Sequence, residues 1–107
     1  MSKTTKAEGT FIVGARNVIE DVDEVACSLV GYSKRELVGM HGSELVLEEE
    51  RPSTAASVDR MRHGDLVFRS AHVRCKDGST IDVVVRAQPL PEGRLALILR
   101  KRLSTDN

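Results

Sequence analysis

The sequence has very few of the aromatic residues on which large binding sites usually rest. It contains no tryptophan, and its aromatic content of 3% comes from two phenylalanines and one tyrosine. Planar cofactors usually lie against aromatic or bulky apolar walls. The sequence therefore offers little support for a large planar cofactor.

The sequence has no net charge and no long apolar run, and it contains only two cysteines. The 16 acidic and 16 basic residues cancel, whereas nucleic-acid binding needs a basic excess or stripe. Cys27 and Cys75 match no metal-site spacing, and a disulfide between them is not expected in a reducing compartment. No segment is apolar enough for a membrane span, and the polar N-terminus does not resemble a signal peptide. We therefore expect a cytoplasmic protein with no nucleic-acid or membrane partner.

What the sequence does contain is typical of one small globular domain. Its 107 residues are 40% hydrophobic and 30% charged. A chain of this length can bury about two-thirds of its unfolded surface, which is enough for one modest core. We predict a single domain over residues 9–102, between a flexible N-terminal tail (1–8) and a short C-terminal tail (103–107).

The beginning of the domain has strand patterns followed by a helix. Residues 11–13 and 18–19 are short β-type runs, which predict a hairpin. Asp23 is suited to cap a helix over residues 23–30, and Gly31 is suited to end it.

Further short helices follow. Ser33 stands three residues before Glu36, which is the capping-box pattern. Another short segment covers residues 43–47. A longer helix is predicted over residues 53–62 and ends at Gly64.

The second half changes to the period of strands. Residues 66–75 and 80–87 are extended runs joined by an Asp-Gly turn at residues 76–79, and residues 95–100 form a last strand. The order is therefore β-β-α-α-α-β-β-β. This order predicts an α+β domain with helices inserted between two runs of an antiparallel sheet.

Several motifs in this order resemble those of the PAS domain family. Gly-Tyr-Ser at residues 31–33, then Glu-Leu at residues 36–37 and Gly39, is similar to the family's stretch after its first helix. Lys-Asp-Gly-Ser at residues 76–79 is similar to its hairpin between strands 3 and 4, and Gly64 lies where the family often has a glycine. The resemblance covers roughly residues 9–102.

The resemblance implies a PAS-like five-stranded antiparallel sheet with short helices inserted between strands 2 and 3. Such a sheet curves around a pocket, and the strand period of two indicates which side chains face it. A filled core would need the same apolar faces, so both interpretations remain open. The side chains expected at the pocket are Val25, Leu29, Met40, Val58, Met61, Ala71, Val73, Ile81, Val83, Val85, Leu97 and Leu99.

The opposite face of the sheet is expected to serve association. It carries Phe68, Val84 and Ile98 among charged residues, a mixture suited to a partner or to a second copy of the chain. The resemblance thus implies a non-catalytic sensory or signalling domain in bacterial-type signal transduction or transcription regulation. We expect it to bind a small ligand or a signalling protein and to form a homodimer.

The alternative is a haem-dependent gas or redox sensor. Haem sensors of this family commonly carry an axial histidine on the long helix, but residues 53–62 contain none. His63 lies at the end of that helix and His72 on the outer sheet face. His41, in the loop at residues 39–42, is the weak candidate that remains for a haem ligand.

Flavin photochemistry and catalysis are not expected. The light-sensing branch of the family has a reactive cysteine at the segment matching residues 39–44, and this chain has none there. Val73 and Val83 stand where polar amides would face the flavin ring. The residues available for catalysis have no recognisable catalytic spacing. They are Cys27, Ser33, His41, Ser43 and Glu44.

Overall fold

The computed structural model describes residues 8–65 and 68–102. The predicted tails, apart from Glu8, and the predicted start of the third strand at Leu66 lie outside the described residues. Glu8 belongs to the first strand, where it pairs with Arg100. The strands are β1 (Glu8–Val13), β2 (Ile19–Val22), β3 (Phe68–Arg74), β4 (Thr80–Pro89) and β5 (Leu95–Lys101).

The predicted α+β fold is confirmed, with the helices inserted between β2 and β3. The five strands form one antiparallel sheet in the order β2-β1-β5-β4-β3. No helix in the described part of the chain is long and apolar enough to cross a membrane. The helices are α1 (Glu24–Val30), α2 (Lys34–Leu37) and α3 (Arg51–Arg62), with 3-10 turns at Gly42–Leu45, Glu48–Glu50 and Pro91–Gly93.

The core lies between the inner face of the sheet and the helices. Strand residues alternate between the two faces, so the inner face presents nearly continuous apolar side chains to the helical layer. The largest fully buried side chains come from both layers. They are Ile19, Val30, Leu37, Met61, Val83 and Leu95.

The ends of α1 and α2 follow the predicted capping residues. The Asp23 carboxylate accepts hydrogen bonds from the backbone N–H groups of Ala26 (2.9 Å) and Thr10 (3.1 Å), so it caps α1 and ties it to β1. Gly31, at a φ of 80°, ends α1 in the left-handed region that favours glycine. Ser33 and Glu36 form the predicted capping box of α2.

The longest helix begins earlier than the sequence pattern predicts. The expected start was residue 53, but α3 begins at Arg51 because the 3-10 turn Glu48–Glu50 leads directly into it. Pro52 lies in the first turn of α3, where a missing N–H costs nothing. The helix therefore presents one more half-turn to the sheet.

The two sequence motifs that suggested the fold meet in space. The backbone N–H of Lys76, in the β3–β4 turn, donates to the carbonyl of Val30 at 2.9 Å. The Lys76 ammonium also lies 2.6 Å from the Glu36 carboxylate. The hydrogen bond from Lys76, helped by the backbone N–H of Ser33, holds the pKa of Glu36 below its ordinary value. The hairpin turn is thus fastened to the α1–α2 segment.

Candidate functional site

A cavity of about 150 Å³ lies between the inner sheet face and α3. An apolar cavity of about this volume can stay dry and bind a molecule such as benzene or xenon. The site therefore has room for one compact apolar group. Its apolar wall consists of Phe11, Val13, Ile19, Leu45, Val46, Ala55, Val58, Met61, Ala71, Val73, Val85, Leu97 and Leu99.

Seven of the twelve residues predicted to line the pocket do line this cavity. They are Val58, Met61, Ala71, Val73, Val85, Leu97 and Leu99. These side chains come from α3, β3, β4 and β5, so the structure brings together parts of the chain that are distant in sequence.

The other five predicted residues lie elsewhere. Val83 is fully buried in the packed core, Leu29, Met40 and Ile81 pack against that core, and Val25 is half-buried on α1.

Close packing of α1 on β1 separates this part of the core from the cavity. At Gly9, on the inner face of β1, an added Cβ atom would lie 2.5 Å from the Cα atom of Ala26 in α1. The helix therefore rests directly on the strand backbone, and no space remains there for a ligand.

Polar side chains that the sequence interpretation did not single out also line the cavity. They include Arg51, Thr54 and Ser57 on α3 and Arg69 on β3. Arg69 is paired with Val85 and shares the inner face with Ala71 and Val73. The strand period of two was the signal for it, since the spacing that turns Ala71 and Val73 inward also turns Arg69 inward.

The contacts of these polar groups leave hydrogen-bonding capacity at the cavity. Arg69 donates through Nη1 to the Ser57 hydroxyl and through Nε to the Ser70 carbonyl, the latter at 3.0 Å. Arg51 donates through Nε to the Ser43 carbonyl at 3.0 Å. Within residues 8–65 and 68–102, neither arginine forms an ion pair, and the buried Thr54 hydroxyl has no hydrogen-bond partner.

The outer sheet face carries the three residues predicted for association. Phe68 is 56% exposed, while Val84 and Ile98 are half-buried. Arg86 on β4 lies between Phe68 and Ile98 in the strand pairing. Its guanidinium forms an ion pair with Glu8 on β1 at 3.0 Å, across β5. The three apolar side chains thus lie among charged neighbours on a face that no helix of the described chain covers.

The residues at the cavity do not fit haem. His41 lines the cavity, but its ring is exposed and its Nδ1 accepts the Ser43 N–H as the cap of a 3-10 turn. His63 is exposed at the end of α3, and His72 contacts Glu50 and Asp82 on the outer face. A cavity of about 150 Å³ is also far too small for a porphyrin. In the described ranges, no three His, Cys, Asp or Glu residues are grouped so that they would hold a metal ion.

Comparison with solved structures identifies the fold. A domain of the sensory box sensor histidine kinase/response regulator from Geobacter sulfurreducens is 28% identical to this chain, with a TM-score of 0.78 over 87% of this chain and 82% of that one. The PAS domain of HTR-like protein from Haloarcula marismortui is 24% identical, with a TM-score of 0.71 over 89% of this chain and 81% of that one.

A third match is more distant in sequence but equally similar in shape. The Cronobacter turicensis RpfR quorum-sensing receptor PAS domain, in complex with C12:0, is 11% identical, with a TM-score of 0.78 over 94% of this chain and 98% of that one. No protein-family model and no curated protein matches the sequence. The chain has a PAS-domain fold, which confirms the resemblance seen in its motifs.

Proposed function

We propose that this domain is a sensory module whose core cavity binds a small, mainly apolar ligand. The observation that carries the proposal is the cavity of about 150 Å³ between α3 and the sheet, whose lining is mainly apolar. Protein interiors are usually filled as densely as organic crystals, so an apolar space of this size is unusual in a small domain. In this proposal the domain acts in the cytoplasm as a non-catalytic part of bacterial-type signalling or transcription regulation.

The position of the cavity allows a bound ligand to affect the outer face of the sheet. Val85 lines the cavity, while its neighbours Val84 and Arg86 are on the outer face of the same strand. A shift of β4 on ligand binding therefore moves both faces of the sheet. The ligand changes the balance between two states only by the difference in its affinity for them.

A neutral apolar probe tests the proposal. Titration with 1-hexanol should give saturable methyl NMR shifts at Val85, Leu97 and Leu99, with a dissociation constant on the order of 1 mM. Val84 and Ile98, on the outer face of the same strands, are internal controls and should shift much less. The absence of saturable shifts at the cavity residues would overturn the proposal.

A second proposed function is self-association through the outer sheet face. The supporting observation is Phe68, which is 56% exposed on the same sheet face as Val84 and Ile98. Apolar groups on an uncovered sheet face are favourable contacts for another protein surface. The partner we favour is a second copy of the chain, so that the domain forms a homodimer. A signalling protein is the alternative partner for this face.

Replacing Val84 with aspartate should weaken the homodimer by about tenfold or more, because the change buries a charge in the contact. Sedimentation equilibrium of the wild type and the variant measures the difference. Val38→Asp is a matched control, since Val38 is 41% exposed at the C-terminal cap of α2 and is not part of the outer sheet face. Equal association of V84D and wild type would reject this face, and a wild type that stays monomeric at high concentration would reject the dimer.

A further inference from the structure

We propose that the ligand of this cavity is a small monocarboxylate, whose apolar part fills the cavity and whose carboxylate binds Arg69. This inference rests on the proposed ligand-binding function and adds the chemical class of the ligand. It depends on four polar side chains at the cavity: Arg51, Thr54, Ser57 and Arg69.

Arg69 supplies the principal positive charge. It lies half-buried at an inward-facing position of β3, opposite Val85, where the neighbouring inward residues are apolar. Arg69 forms no ion pair within residues 8–65 and 68–102, so its charge is available to a ligand. Its described hydrogen bonds use Nε and Nη1. Nη2 makes no hydrogen bond to the described residues, so it is left to donate a charge-assisted hydrogen bond to a carboxylate.

The α3 helix places three more hydrogen-bond donors at the cavity. Arg51, Thr54 and Ser57 are spaced three residues apart and therefore lie on one side of the helix. The Ser57 hydroxyl contacts Arg69, which locates this side of α3 opposite β3. The buried Thr54 hydroxyl lacks a hydrogen-bond partner in the described chain, although buried polar groups are nearly always hydrogen-bonded. A carboxylate oxygen at this end of the cavity would accept its hydrogen bond.

The rest of the lining defines which carboxylate fits. None of the described lining residues is Asp or Glu, so no carboxylate there would pair with an ammonium group, and an amino acid or an amine is disfavoured. The volume of about 150 Å³ accommodates a group close in size to benzene. A linear acid of about six carbons is therefore a suitable probe.

Calorimetry with hexanoate, hexanamide and hexylamine tests the inference, since these probes share one alkyl chain and differ in charge. We expect hexanoate to bind about tenfold tighter than hexanamide, with hexylamine the weakest. Arg69→Gln should weaken hexanoate binding by about 10- to 100-fold and hexanamide binding by less than about threefold, because only the charged hydrogen bond is lost. Arg74→Gln is the matched control, because Arg74 is on the same strand and exposed on the other face.

The outcomes separate the inference from the proposed function. If hexanoate and hexanamide bind equally and R69Q changes neither, the carboxylate inference is overturned while the apolar cavity remains the ligand site. If 1-hexanol and all three probes fail to bind, the proposed function itself fails. If R69Q does not fold, Thr54→Val decides: we expect a loss of about threefold or more for hexanoate, and unchanged binding would overturn the inference.

Discussion

Replacing Gly9 with valine should destabilise the domain by about 3 kcal/mol or more, because the new side chain has no space. A Cβ atom at this position would lie 2.5 Å from the Cα atom and 2.6 Å from the backbone nitrogen of Ala26. Backbone atoms cannot rotate away as a flexible side chain would, so α1 would have to move off the sheet. Small domains have a free energy of unfolding of only about 5–15 kcal/mol, so such a loss is large.

Urea unfolding of the wild type and the Gly9→Val variant measures this loss directly. Thr10→Val is the matched control, because Thr10 is the next residue of β1 and points to the opposite face. We expect the control to change the free energy of unfolding by less than about 0.5 kcal/mol. If G9V were as stable as the control, the close contact between α1 and β1 would be wrong.

Replacing Ala71 with phenylalanine should abolish ligand binding while leaving the domain folded. Ala71 lines the cavity from the middle of β3, and the added ring is close in size to the molecule that a cavity of this volume holds. The ring and a ligand would therefore compete for the same space. We expect the affinity for 1-hexanol and for hexanoate to fall by about 30-fold or more, and filling the cavity can raise stability by about 0.5–2 kcal/mol.

Calorimetry together with thermal unfolding separates these two effects. Ala56→Phe is the matched control, because Ala56 is exposed on α3 and does not line the cavity. The control should bind both probes as the wild type does. An A71F variant that keeps wild-type affinity would show that the probes bind outside the cavity.

Local patterns in the sequence predicted the elements of the fold well. The capping box at Ser33 and Glu36, the cap at Asp23 and the hairpin turn at residues 76–79 each depend on neighbouring residues, and each is present in the structure. The pairing of β1 with β5 is different, because it joins opposite ends of the domain and no local pattern encodes it. The five-stranded sheet was implied by the resemblance to the PAS domain family.

The cavity itself could be predicted only in part. A period of two places Val83 and Val85 on the same face, yet Val83 is packed in the core and Val85 lines the cavity. The difference arises because α1 and α3 cover different parts of the sheet. The position of α1 depends on the close contact between Gly9 and Ala26, which the sequence of neither segment predicts. Arg69 was missed by the sequence analysis, although the same period of two that turns Ala71 and Val73 inward would have identified it as an inward-facing residue.

The central claim is that a small ligand occupies the cavity between α3 and the sheet. Isotope-filtered NOE measurements on the protein with hexanoate test this claim most directly, because they report which protein methyl groups lie within about 5 Å of the ligand. We predict NOEs from the terminal methyl of hexanoate to Leu97 and Leu99, and their loss in the Ala71→Phe variant. NOEs to Val84 and Ile98 instead, or none to the cavity residues at a saturating concentration of hexanoate, would contradict the account.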